Sequence, residues 1–180
     1  MTDLINLDEY KIYATIKSVE YDAKITSIIT YVSSLIRTYC GRNLIIEAPI
    51  VEYYEGGASN LYTKEFPLVS VTSIGRSEDY GQTFTPLVEF TDYVISKSKD
   101  QIFIITEDLV ELPNKYKITY IGGYEVMPED LKLAVLDLVD YYYRNEATPK
   151  RMSNFVTIEY VKTTDFPPHI KRILDLYRVV

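Results

Sequence analysis

Between positions 22 and 41 the apolar residues Ile25, Ile28, Ile29, Val32, Leu35, Ile36 and Tyr39 recur at three- and four-residue steps. Lys24, Thr26, Ser27, Thr30, Ser33, Ser34 and Arg37 fill the other side. That period predicts an amphipathic helix starting at Asp22, with one stripe turned to a core. Gly41 stands where a helix ends in the left-handed conformation. Upstream, Asn6 and Glu9 have the spacing of a capping box and predict a short helix over 6–14. A further helix is predicted over 128–144. Pro128 suits a first turn, because its φ is already helical and its missing N–H would have no partner there. Glu129 and Asp130 favour the positive end of the helix dipole. From Leu131 to Tyr143 this helix is apolar on nearly every side, with Asp130, Asp137, Asp140 and Arg144 on one narrow strip and Lys132 opposite. Such a helix needs partners on more than one side, and is expected to be the central strut.

From Leu44 to Ile121 the pattern changes to short β-type runs at 50–54, 61–63, 69–74, 84–87, 93–96 and 101–105, divided by turn residues. The segment 55–60 reads as a hairpin-like loop between the first two. The last run alternates, with Tyr116, Ile118 and Tyr120 on one face and Lys115, Lys117 and Thr119 on the other. Gly122-Gly123 then interrupts it. After the strut, 146–165 is polar and proline-punctuated, with a weak β run at 156–160, and reads as an exposed arm or loop. Phe166-Pro167-Pro168-His169 opens a short terminal helix with Ile170, Ile173, Leu174 and Tyr177 on one side and Lys171, Arg172 and Arg178 elsewhere.

The fold class expected is therefore α+β. A helical core is built from the N-terminal helix pair, the long helix near 128–144 and a short C-terminal helix, with an inserted, mostly antiparallel β subdomain. One domain over 1–180 is expected, divided into a helical part at 1–42, the inserted β subdomain at 43–121, and the central helix, arm and C-terminal helix at 122–180.

Composition narrows the class. The chain has 180 residues, 47% of them hydrophobic, which is too apolar for a disordered chain, and no apolar run approaches the ~20 residues of a membrane span. Its opening lacks the basic start and apolar run of a signal peptide. One cysteine, Cys40, excludes disulfide scaffolds and multi-cysteine zinc sites within one chain. A net charge of −7 argues against gripping nucleic acid by its phosphates, though not against a surface that DNA passes without sticking. Tyrosine is abundant, with 18 residues against no tryptophan, which suits half-buried strands and interfaces.

Candidate chemistry is sparse. His169, the one histidine, follows two prolines and reads as a helix-start or contact residue rather than a metal ligand. Cys40 reads as a buried small residue. Neither Gly56-Gly57 nor Gly122-Gly123 carries the Lys-Ser/Thr or spaced glycines of a phosphate loop. Acidic residues are plentiful, but no spacing selects a catalytic pair. No catalytic residue, cofactor or metal is expected.

The run Leu7-Asp8-Glu9-Tyr10-Lys11, the segment from Asp22 to Thr38-Tyr39-Cys40-Gly41-Arg42, and then Glu65-Phe66-Pro67-Leu68-Val69-Ser70-Val71, Tyr120-Ile121-Gly122-Gly123-Tyr124 and Met127-Pro128-Glu129-Asp130-Leu131-Lys132-Leu133-Ala134 occur in that order. The ordered set resembles the phage head–tail connector (adaptor) family. The resemblance implies a virion protein of the neck, made in the host cytoplasm and without catalytic activity. It implies a homo-oligomeric ring of about twelve copies under the portal. That ring would extend the DNA channel, contact the portal and a downstream neck or tail-completion protein, and let double-stranded DNA pass without specific binding.

Two segments are the candidate contacts with neighbouring copies or the portal. Tyr141, Tyr142, Tyr143 and Arg144 lie on the strut, where three adjacent tyrosines point about 100° apart and cannot share one core. Phe166, Pro167, Pro168, His169, Ile170, Lys171, Arg172, Ile173 and Tyr177 form the C-terminal segment, whose short apolar stripe needs a surface, either this chain's own core or a partner. Because family members engage the portal through C-terminal residues, the resemblance favours the partner. Two other readings stay open: another neck component, such as a stopper or tail-completion protein, and a soluble ligand-binding or enzyme domain.

Overall fold

The computed structural model describes residues 2–98, 100–105, 111–147 and 166–179, with the backbone alone for 145–147. Of the arm expected over 146–165, residues 146 and 147 continue a helix, and the rest, with its β run at 156–160, lies outside the described residues. The architecture is α+β, as the sequence predicts, and the chain forms two compact units, residues 1–41 with 127–180 and residues 42–126.

The first unit is helical, with α1 (Leu7–Tyr13), α2 (Asp22–Cys40), α3 (Glu129–Ala147) and α4 (Pro168–Leu174) among the described residues. The capping box forms: the Asn6 side chain accepts the Glu9 N–H at 2.9 Å, and the Asn6 N–H donates to the Glu9 carboxylate at 2.8 Å. On α2, Ile25, Ile28, Ile29, Val32, Ile36 and Cys40 are buried, and Gly41 closes the helix at φ 70°. α3 packs against α1, α2 and α4 and buries Leu131, Ala134, Val135, Leu138 and Val139. Burial of each of these leucines and valines contributes roughly 1.5–3 kcal/mol, and of Ala134 less. The polar side of α2 is not uniformly exposed. Ser33 and Arg37 are buried because Ser33 accepts the Leu4 N–H at 3.0 Å and Arg37 donates to the Thr2 carbonyl, fastening the N-terminal segment along the helix. Leu35, at the margin of the stripe, is only half-buried.

The second unit holds two antiparallel sheets. One has the order β1 (Ile50–Tyr54), β7 (Tyr116–Gly122), β3 (Leu68–Arg76), β4 (Thr85–Pro86), and the other β2 (Asn60–Tyr62), β6 (Gln101–Ile104), β5 (Tyr93–Ile95). Their inner faces share one core that includes Leu61, Leu68, Ile74, Ile102, Ile104, Tyr116, Ile118 and Tyr120. Alternation on β7 follows the sequence pattern, with Tyr116, Ile118 and Tyr120 inside. Two register shifts in β3 let Leu68, Val71 and Ile74 face the core at three-residue steps, leaving Val69 exposed. Two details differ from the sequence reading. Residues 55–60 do not join a hairpin, because β1 pairs with β7 and β2 with β6. Lys115 precedes the strand, outside its alternation, and is buried with its ammonium 6.0 Å from the Tyr116 ring.

Three of the segments that carry the family resemblance meet at one node in this unit. The Arg42 guanidinium lies over the Phe66 ring, 3.7 Å from its centroid, and donates to the Phe66 carbonyl. The Glu65 carboxylate accepts the N–H groups of Asn43 and Leu44, and the Glu65 N–H donates to the Tyr120 hydroxyl at 3.0 Å. A Cβ on Gly122 would run into the Glu65 carbonyl. Gly123 has φ +109°, where its N–H reaches the Pro67 carbonyl, and the Tyr124 N–H reaches that of Leu44. The peptide Phe66-Pro67 is cis. The glycine pair is thus a close-approach device that joins the two ends of the unit.

Candidate functional site

The C-terminal half of α3 and the start of α4 border an open groove of about 520 Å³ lined by Asp137, Asp140, Tyr141, Arg144, Pro167, His169 and Ile170. The fold therefore brings the two sequence-predicted contact segments to one place. Tyr141, Arg144, Pro167, His169 and Ile170 share the groove, and Arg144, His169, Lys171 and Arg172 are exposed. The remaining predicted residues serve intrachain contacts. Tyr142 sets its ring edge-on to Tyr31, centroids 5.4 Å apart, and to Tyr141 at 5.6 Å. Tyr143 meets Tyr10, and Phe166 meets Tyr39 at 4.8 Å. Pro168 begins α4, Ile173 is partly buried, and Tyr177 donates to Asp130 at 2.7 Å.

The apolar stripe of the C-terminal segment finds its surface in this chain's own core. Ile170 and Leu174 are buried, α4 packs on α2 and α3, and the Val179 N–H donates to the Cys40 carbonyl at 2.9 Å. Of the two surfaces that the sequence leaves open for this stripe, it takes this chain's own core. A seven-residue helix cannot stand alone in water, and the faces of α2 and α3 are at hand to cover it.

The polar strip of α3 is paired with tyrosine hydroxyls. Asp130 accepts from Tyr177, Asp137 from Tyr13 and Asp140 from Tyr10, while Asp175 accepts from Tyr39. These bonds hold α1 and the C-terminal segment to the strut. They also account for several tyrosines that the sequence alone offers equally to interfaces. The hydrogen bond to Asp137, helped by burial, pushes the Tyr13 phenol up to about 12. Burial and the Asp140 carboxylate raise Tyr10, and the bond to Asp175 raises Tyr39. Each phenol thus keeps its proton through neutral pH and acts as a donor rather than an acid. Arg144 Nε lies 2.6 Å from the Asp140 carboxylate across one helical turn, with the Arg144 side chain 73% exposed. The groove offers mixed charge on an apolar floor, which suits docking.

Among the described residues, no group of three or more His, Cys, Asp or Glu is arranged to hold a metal ion, and no helix is long and apolar enough to cross a membrane. Cys40 is buried, its thiol 3.8 Å from the Leu174 carbonyl.

Comparison with known proteins places these features in a family. The head completion protein of Escherichia phage T5 is 38% identical over 60 residues, which are 33% of this chain and 35% of that protein, so the chain spans about a third of that relative's length. Among solved structures, a chain from the neck of an empty gene transfer agent particle, computed with C6 symmetry, superposes at TM-score 0.62 with 17% identity, covering 98% of this chain and 90% of its own. A chain from the neck of a native gene transfer agent particle, computed with C12 symmetry, gives 0.58 at 16% identity over 99% and 94%. Likeness at such identity is likeness of fold. A sequence model of head completion proteins matches residues 3–180, nearly the whole length, and the chain belongs to the head completion protein family.

Proposed function

We propose that the protein is a structural component of the phage neck that joins head to tail. The observation that carries this reading is the head completion family match over residues 3–180. The fold shared with neck chains of gene transfer agent particles supports it. The role is structural, and no catalytic step is assigned to it. The chain works as a homo-oligomeric ring of about twelve copies under the portal, made in the host cytoplasm and carried in the virion. The symmetries named for those neighbouring particles support this ring. The α3–α4 groove, with Arg144, Lys171 and Arg172 at or beside it, forms the portal-facing contact, since these exposed cations stand next to Asp137 and Asp140 on an otherwise acidic chain. The net charge of −7, repeated around a ring, would repel DNA phosphates and let the genome slide past without specific binding.

The test is completion in vitro. Purified protein added to heads that lack it is expected to let tails join, and the Arg144→Glu, Lys171→Glu, Arg172→Glu variant to bind portal-bearing heads more weakly while staying folded. Heads completed equally well by that variant would remove the groove from the portal contact.

A further inference from the structure

We propose that neighbouring copies join through the turn Val88 to Asp92 of one copy, seated in a groove at residues 8–17 of the next. This contact rests on the ring assembly proposed above. A closed ring unites two different patches of the same chain, one from each neighbour.

The projecting patch is the turn before β5. Phe90 is 77% exposed and Val88 60%. Phe90 also sits at φ +65°, a left-handed conformation that a bulky residue rarely adopts unless its surroundings impose it. The surroundings do. The Val88 N–H donates to the Asp92 carboxylate at 2.8 Å, the Asp92 N–H to the Val88 carbonyl at 2.8 Å, and the Phe90 N–H to the Tyr93 carbonyl at 2.8 Å. The Asp92 carbonyl in turn accepts the Ile105 N–H from the end of β6. A rigid turn thus holds two large apolar side chains out in water, where their own chain gains nothing from them.

The receiving patch is a groove of about 520 Å³ at the end of α1, lined by Asp8, Lys11, Ile12, Thr15, Ile16 and Lys17. Ile12, 79% exposed, gives it an apolar wall that water covers in the single chain. Charge makes the two patches complementary. The turn is flanked by Glu89 and Asp92, while the groove carries Lys11 and Lys17 against the single acidic residue Asp8. Asp92 is engaged in holding its own turn, and Lys11 is paired with Asp22 at 2.7 Å. Glu89 and Lys17 are then the rim pair that sets orientation, around an aromatic anchor in an apolar slot.

The experiment measures assembly of the full chain by mass photometry and sedimentation, with circular dichroism as a check on folding. Phe90→Ser and Ile12→Ser are each expected to raise the concentration needed for ring formation by at least about tenfold without loss of fold. Glu89→Lys and Lys17→Glu should each weaken assembly, and the two combined should restore it toward wild type, a rescue that fold damage could not produce. Rings that persist in Phe90→Ser, or a charge swap without rescue, overturn the contact while leaving the ring reading intact. A wild-type chain that stays monomeric both alone and on heads overturns the ring reading, and this contact with it.

Discussion

Arg42 and Glu65 form a buried ion pair, Nε to Oε2 3.6 Å, where the chain enters the β unit. Neither side chain is more than 3% exposed. Burial pushes the Glu65 carboxyl up, while the Asn43 and Leu44 N–H groups and the Arg42 guanidinium act against it. Removing one member strands the other in a low-dielectric site. Arg42→Met or Glu65→Ala is therefore expected to destabilise the unit by about 3–5 kcal/mol, read from chemical denaturation. Near wild-type stability in both would mean that the pair does not hold the node.

Leu138 and Leu35 both lie on the apolar stripes that join α2 to α3, but only Leu138 is fully buried, at 1% exposure. Leu138→Ala is expected to cost about 2–5 kcal/mol. Leu35→Ala should cost clearly less, because little cavity is left at a half-buried site. Equal losses in denaturation would contradict the packing of the helical unit.

Alkaline titration probes the phenol–carboxylate bonds. Tyr13 has its folded value raised from an ordinary 10.0 to about 12, so its contribution is fully present below pH 10 and lost as pH rises toward 12. Tyr10 and Tyr39 are raised in the same direction. Stability followed against pH should fall across that window, and Tyr13→Phe should flatten part of the slope. A wild-type curve unchanged between pH 10 and 12 would show that these bonds do not couple the helices.

Ending the chain before Phe166 removes Ile170 and Leu174 from the helical core, along with the Tyr39–Asp175 and Tyr177–Asp130 bonds. The expected outcome is a helical unit with broadened near-UV signals and a lowered melting temperature, rather than a folded protein that has merely lost a partner. A truncated chain with wild-type melting would show that the segment adds nothing to the helical core.

Features written within one or two turns were legible in the sequence. The Asn6–Glu9 box, the α2 stripe, the Gly41 stop and the alternation of Tyr116, Ile118 and Tyr120 all formed as local rules require. Features that need distant partners were not. β1 finds its partner in β7 rather than in the strand that follows it, because pairing is set by the shared core and not by loop length. Ser33 and Arg37 look exposed by type, yet are buried because the N-terminal segment supplies their hydrogen-bond partners. The two walls of the α3–α4 groove were each visible as contact candidates. Their meeting depends on α4 docking on α3, which no short-range pattern encodes.

Electron microscopy of virion necks would show where the chain sits. A reconstruction aligned on the tail axis is expected to show this chain as a closed ring coaxial with the portal, its α3–α4 groove turned toward portal density and the DNA passage at its centre. Density for the chain at the tail tip or on the capsid shell, or no density for it in purified virions, would mean that the chain is not a neck ring.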